Sequence, residues 1–194
     1  MPVLAIADAS VVGNLPSLSS ADADAVRQAV RYLYDLGHRQ IARVGGPESL
    51  AHSYIRDSAF ADVASELGMR YRCLHTDYTP ETGREATKRL LAFSEHPTAI
   101  IYDNDVMALA GLGVAASQGI KVPEEISIMS WDDSLMCTAA YPNLTAMGRD
   151  VVDTGKQAAG LLLKLIGGER VGHLMEGPYE LRARASTGPA PAAE

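Results

Sequence analysis

The chain has 194 residues, a formal net charge of −7, a hydrophobic fraction of 47% and a charged fraction of 21%. These values are typical of a globular protein with one large domain or two small lobes. They exclude a basic nucleic-acid-binding domain, so these residues alone are not expected to hold DNA.

The hydrophobic pattern alternates between strands and helices along the whole chain. In order, it predicts strand 4–7, a loop with a short strand near Leu18, helix 23–36, strand 41–44, helix 53–67, strand 71–75, helix 79–93, strand 98–102, helix 105–118, strand 126–131, helix 134–140, strand 144–147, helix 154–166 and weak strands near Leu174 and at 179–184.

Start and stop signals support several of these helices. Asp22 or Asp24 is expected to cap helix 23–36, and Gly37 ends it. Helix 79–93 opens on Thr79 with proline at its first position, where the fixed proline φ fits a helix.

Alternating strands and helices at this spacing predict a parallel, doubly wound α/β fold. In such folds, ligands bind at the carboxyl ends of the strands. Polar residues stand at these ends: Asp8 follows the first strand, 103–105 follow strand 98–102, and 132–133 follow strand 126–131. We expect these groups to face one crevice.

The usual enzyme motifs are missing from the sequence. It has no G-x-S-x-G nucleophile turn, and the Gly155-Lys156 pair lacks the rest of a phosphate-binding loop. Asp132 and Asp133 could act as an acid–base pair, but capping of helix 134–140 or hydrogen bonding to a ligand is the preferred interpretation. We therefore predict no enzymatic activity, no cofactor and no metal site.

The remaining signals favour the cytoplasm. Cys73 and Cys137 are too few for a disulfide framework. The N-terminus lacks a basic start and is interrupted by Asp8, unlike a signal peptide. No apolar run reaches the length of a membrane helix, so no membrane partner is expected.

The segment 31–42, RYLYDLGHRQIA, resembles the LGHr-x-IA signature of LacI-type bacterial transcriptional regulators. Further family motifs follow in order, at 97–100 (PTAI), 104–108 (NDVMA), 119–128 (GIKVPEEISI), 131–133 (WDD), 142–145 (PNLT) and 184–187 (RAST). The resemblance covers residues 1 to about 187. It implies a periplasmic-binding-protein-like effector domain, in which two α/β lobes clamp a small molecule such as a sugar or nucleoside.

The resemblance also implies ligand-binding residues. Asp8 lies where the family has a carboxylate, and Arg56 matches the arginine of an R-x-x-G-f motif, although Ala59 replaces its glycine. Tyr78 lies where an aromatic ring often stacks on the ligand, and Asn104 and Asp132 match polar residues that bind hydroxyls. Together with Arg56, the acids and the amide also form a polar cage suited to a hydroxyl-rich molecule.

Arg149 leaves two interpretations open. It stands where some family members have a ligand-facing glutamine, and Ala146 replaces the second threonine of the preceding P-x-L-T-T motif. A second cation beside Arg56 would favour an acidic or phosphorylated ligand. Alternatively, Arg149 pairs with Asp150 or Asp132 and is not available to a ligand.

The family's lobes map unevenly onto the sequence. Residues 1–37 with 148–167 are predicted as a partial N-terminal lobe, 38–147 with 170–187 as a C-terminal lobe, and 188–194 as a disordered tail. The helix-turn-helix headpiece that would bind operator DNA does not precede Met1, so we expect a fragment of a longer regulator, and a homodimer by family resemblance. The alternative is a periplasmic sugar-binding protein of a transport system, which would need an export signal.

Overall fold

The computed structural model describes residues 1–192. Its strands are β1 (Ala5–Ile6), β2 (Ser17–Ser19), β3 (Gln40–Gly45), β4 (Arg70–His75), β5 (Ala99–Tyr102), β6 (Ser127–Trp131), β7 (Thr145–Gly148), β8 (His173–Met175) and β9 (Glu180–Arg182). Its helices are α1 (Ala9–Val12), α2 (Asp22–Asp35), α3 (Ala51–Glu66), α4 (Pro80–Leu91), α5 (Asp105–Ser117), α6 (Leu135–Ala139) and α7 (Val151–Ile166). The predicted α/β alternation is confirmed, and only the four-residue helix α1 was not predicted.

The large lobe is built on a six-stranded sheet in the order β4-β3-β5-β6-β7-β9. All its neighbouring strands pair in parallel except β7 and β9, which are antiparallel. Helices α2 and α3 cover one face and contribute Leu33 and Phe60 to the core. Helices α4 and α5 cover the other face with Leu90 and Met107. Because both faces are covered, β5 is buried along its whole length.

The small lobe contains the parallel sheet β1-β2-β8 together with α1 and α7. Leu18 in the central strand is 1% exposed and stands opposite Leu174 of β8. Helix α7 contributes no buried residue, and its side chains Val152, Leu163 and Ile166 are each more than 60% exposed. The small lobe therefore exposes an apolar helix face to solvent.

Two predicted lobe assignments are wrong. Helix α2 was assigned to the N-terminal lobe, but its apolar stripe packs against Phe60 and Val63 of α3 in the core of the large lobe. Residues 170–187 were assigned as one unit to the C-terminal lobe, but β8 pairs with β2 of the small lobe. The chain crosses between the lobes after β2, after β7 and after β8, and hydrophobic periodicity alone does not identify the sheet that a segment joins.

The tail prediction is also wrong for its first residues. Gly188 is buried and its carbonyl oxygen accepts a hydrogen bond from the ring of His38, while the Ala190 amide donates to the Leu36 carbonyl at 2.8 Å. The last two predicted tail residues, 193 and 194, lie outside the described residues. Within residues 1–192, no helix is long and apolar enough to cross a membrane.

Candidate functional site

A cleft of about 320 Å³ lies between the two lobes. All six predicted site residues line it: Asp8, Arg56, Tyr78, Asn104, Asp132 and Arg149. Four of them lie one or two residues beyond a strand end: Asp8 after β1, Asn104 after β5, Asp132 after β6 and Arg149 after β7. The expected convergence of strand-end polar groups in one crevice is confirmed for Asp8, Asp103, Asn104 and Asp132, but Asp105 and Asp133 do not line the cleft.

Arg56 is held in place from three sides. Its Nε donates to Asp22 Oδ1 at 2.6 Å, and its Nη1 lies 3.5 Å from Asp103 Oδ2. The guanidinium also lies 4.5 Å from the centre of the Trp131 ring, a cation–π distance. Burial opposes the charged form, but Asp103 and Asp22 outweigh it, so the pKa of Arg56 is raised above its usual value.

A second arginine lies beneath this site. Arg43 of β3 is 1% exposed, and its Nε donates to Asp103 Oδ1 at 2.9 Å. Its other nitrogens bind Asp103 and Asp57. Asp103 thus connects two buried guanidinium groups, which is the kind of hydrogen-bonded pairing that a buried charge requires.

Tyr78 forms an aromatic wall of the cleft in a left-handed backbone conformation, with φ of 68°. Its ring packs on Gly46, where an added Cβ would lie 1.9 Å from the ring Cζ, so only glycine allows this approach. The Tyr78 hydroxyl and His52 Nε2 are 2.7 Å apart. Burial, together with the positive charge of Arg56, lowers the pKa of His52, which favours the neutral ring.

Asn104 supports the same wall through its side-chain amide. Its Oδ1 accepts from the Met107 amide at 2.8 Å and caps α5, while its Nδ2 donates to the Tyr78 carbonyl at 3.2 Å. One Nδ2 hydrogen remains for another acceptor.

The two cleft carboxylates differ in their partners. Asp8 caps α1, because its Oδ1 accepts from the Ser10 amide at 2.9 Å and from the Ser10 hydroxyl at 2.6 Å, and these hydrogen bonds lower its pKa. Asp132 opens into the cleft, and among residues 1–192 its carboxylate has no hydrogen-bond partner. Desolvation by the cleft walls raises the pKa of Asp132, although Arg56 and Arg149 oppose the shift.

The predicted capping of α6 by Asp132 or Asp133 is wrong. Ser134 caps that helix by accepting from the Met136 amide at 3.1 Å. Asp133 instead accepts from Arg182 and Arg184, each at 2.7 Å. The predicted cap of α2 is wrong in the same way, because Asp22 binds Arg56.

Arg149 pairs with neither of its predicted partners. Its Nη1 donates to Glu176, whose side chain is 2% exposed and also accepts from Thr154 Oγ1 at 2.7 Å. Asp150 instead caps α7 by accepting from the Asp153 amide at 2.9 Å. Arg149 therefore lines the cleft with its charge already matched by a buried carboxylate.

Four cleft residues with polar side chains were not predicted from the sequence: Ser20, Asp22, His52 and Tyr179. Asp103 was expected at the crevice from its position after β5, but not as one of the ligand-binding residues. Asp22 had no such signal, since its partner Arg56 lies 34 positions away.

Known proteins are similar to this chain along nearly all of its length. The family model of the periplasmic binding protein-like domain matches residues 30–187. A solved LacI family transcriptional regulator from Bifidobacterium animalis is 60% identical with a TM-score of 0.96, over 98% of this chain and 70% of that chain. The dimeric Lac repressor structure is 27% identical with a TM-score of 0.87, over 97% of this chain and 69% of that one.

Among curated proteins, the HTH-type transcriptional repressor CytR of Escherichia coli is 33% identical over 180 residues, which are 90% of this chain and 52% of the repressor. The chain thus spans about half the length of the curated relatives it matches.

Proposed function

The chain belongs to the LacI family of transcriptional regulators, and from this premise we propose that its cleft binds a small, hydroxyl-rich effector such as a sugar or nucleoside-like molecule. Binding of that effector controls the attachment of the regulator to operator DNA, through a DNA-binding headpiece that is not among these residues. The main support for this proposal is that Asp8 of the small lobe and Asp132 of the large lobe line the same cleft.

The cleft chemistry suits such a ligand. Its volume of about 320 Å³ is that of a small-molecule site. Carboxylates accept hydrogen bonds from hydroxyl groups, and Asn104 retains one amide hydrogen to donate. Tyr78 offers an aromatic wall for the apolar face of a sugar or base. The Arg56 side chain is held in one position by Asp22, Asp103 and the Trp131 ring, so it can meet a ligand without first being ordered.

A ligand between two lobes can change their arrangement. It shifts the equilibrium only by the difference of its affinities for the two arrangements, so contacts to both lobes are required. We propose that a homodimer transmits this change, as the Lac repressor in the solved structure is a dimer. The transport-protein alternative is not favoured, because the matched relatives are transcriptional regulators.

Thermal-shift measurements and calorimetry with a panel of pentoses, hexoses and nucleosides test the proposal. A ligand present at about one hundred times its Kd adds about 2.7 kcal/mol to the free energy of unfolding. Asp132→Asn should weaken binding by about 1–3 kcal/mol, the cost of an unmade buried hydrogen bond.

Asp62→Asn is the matched control, because Asp62 lies on the exposed side of α3 away from the cleft. The proposal fails if no member of the panel raises the melting temperature, or if Asp132→Asn and Asp62→Asn bind alike.

A further inference from the structure

We propose that the cleft selects a ligand with a positively charged amine beside its hydroxyl groups, with Asp132 as the partner of that amine, and that it rejects anionic ligands such as sugar phosphates. This inference rests on the proposed function and names the charge class of its ligand.

Each of the two cationic side chains of the cleft already binds a buried carboxylate, and Arg149 Nε is buried without a hydrogen-bond partner among the described residues, so it can still donate to a ligand oxygen. Arg56 binds Asp22 and lies beside Asp103, and Arg149 binds Glu176. The side chains of Asp22 and Glu176 are 5% and 2% exposed. A phosphate that drew either arginine away would leave a buried carboxylate without a partner, which is strongly unfavourable.

Two helix N-termini reach the cleft. Asn104 caps α5, since its Oδ1 accepts from the Met107 amide, whereas, within residues 1–192, α3 begins at Ala51 without a side-chain cap. The carboxylates around the cleft have to outweigh the free amides of α3 for an anion to be rejected.

The charges in and beneath the cleft do not balance. Six carboxylates stand against three guanidinium groups; the acids are Asp8, Asp22, Asp57, Asp103, Asp132 and Glu176, and the bases are Arg43, Arg56 and Arg149. His52 adds no positive charge at neutral pH, since burial and Arg56 lower its pKa. A cleft with low-dielectric walls concentrates such an excess and attracts the opposite charge.

Asp132 is the carboxylate of this negatively charged group that is available to a ligand. Among the residues the structure describes, nothing donates a hydrogen bond to its carboxylate, whereas Asp22, Asp103 and Glu176 each have an arginine partner. A ligand ammonium would supply a charge-assisted hydrogen bond, which is stronger than the bond that a neutral hydroxyl supplies. The expected order of affinity is therefore amine, then neutral parent, then phosphate.

Calorimetry on the full chain with two matched sets of compounds tests this order. One set is glucosamine, glucose and glucose 6-phosphate; the other is 5′-amino-5′-deoxyadenosine, adenosine and adenosine 5′-monophosphate. In at least one set, the amine should bind about tenfold more tightly than its neutral parent, and the phosphate at least about tenfold more weakly. The preference for the amine should shrink as salt is raised.

Asp132→Asn should bring the amine and the neutral parent to similar affinity, whereas Asp62→Asn should leave their ratio unchanged. The inference is overturned if, in every set that binds, the neutral compound or the phosphate binds as tightly as its amine, and the proposed ligand-binding function then still stands. If none of the six compounds binds, both the proposed function for these ligand classes and the inference fail.

Discussion

Asp103→Asn should destabilise the protein far more than the loss of one charge from a surface carboxylate would. The Asp103 side chain is fully buried and lies between Arg43, whose Nε donates to it at 2.9 Å, and Arg56, whose Nη1 is 3.5 Å away. Asparagine keeps the shape but leaves two buried guanidinium groups with one carboxylate fewer.

The magnitude follows from the partners that remain. Removal of one member of a buried ion pair costs about 3–5 kcal/mol. Arg43 keeps Asp57 and Arg56 keeps Asp22, so we expect the lower end, about 3 kcal/mol. With a urea slope of about 2 kcal/mol/M, the unfolding midpoint should fall by about 1.5 M.

Trp131 provides the assay, because it is the only tryptophan in the chain and is 1% exposed. Its fluorescence in urea reports unfolding of the large lobe. Asp24→Asn is the control, since Asp24 pairs with Arg27 at 3.1 Å but the two side chains are 83% and 40% exposed. Such surface pairs contribute about 0.2–1 kcal/mol.

A double-mutant cycle separates the ion pair from other effects. Arg43→Met combined with Asp103→Asn should cost less than the sum of the single variants, with a coupling of about 1–3 kcal/mol. A cost below about 1 kcal/mol for Asp103→Asn, or strict additivity in the cycle, would show that these charges are solvated and would refute the reasoning.

Three further changes test other parts of the structure. Gly46→Ala should cost about 1–3 kcal/mol in urea unfolding, because the added Cβ would lie 1.9 Å from Cζ of Tyr78; an unchanged midpoint would contradict this contact. Gly160→Ala in α7 should add up to about 1 kcal/mol, since nothing lies within 4 Å of its added Cβ. In NMR titration, Asp77 should show a pKa of about 2, because hydrogen bonds from Thr79 and Thr82 favour its charged form. Its contribution to stability is full above the ordinary pKa of 3.8 and is lost as the pH falls towards 2; Thr82→Ala should raise the pKa.

The parts of the fold predicted from sequence are those set by local chemistry. Buried strands such as β5 are continuous apolar runs, and Thr79 and Pro80 mark the start of α4. Since strand ends in a parallel sheet share one edge, the convergence of Asn104 and Asp132 on the cleft followed from the element order alone. Asp8 belongs to the other sheet, so its place across the cleft depends on how the two lobes are arranged.

The parts that were missed depend on distant partners. The apolar stripe of α2 shows that the helix packs on a surface but not on which lobe. Asp22 has the chemistry of a helix cap, and only the fold shows that Arg56 takes it instead. The pairing of Arg149 with Glu176 spans 27 positions and has no local signal. Helix α1 has four residues, too few for helical periodicity to appear.

The large-lobe wall and the small-lobe wall of the cleft differ in how well they are packed. On the large lobe, Arg56 is fixed by Asp22, Asp103 and the Trp131 ring within a packed core. On the small lobe, Asp8 stands between the two-residue strand β1 and helix α1, which buries no residue. Local opening costs least where few apolar contacts are made, so the small-lobe wall is the part that a ligand can order. For the ligand proposed above, we therefore expect contacts with Asp8 to distinguish one lobe arrangement from the other, while contacts with the large lobe stay the same in both.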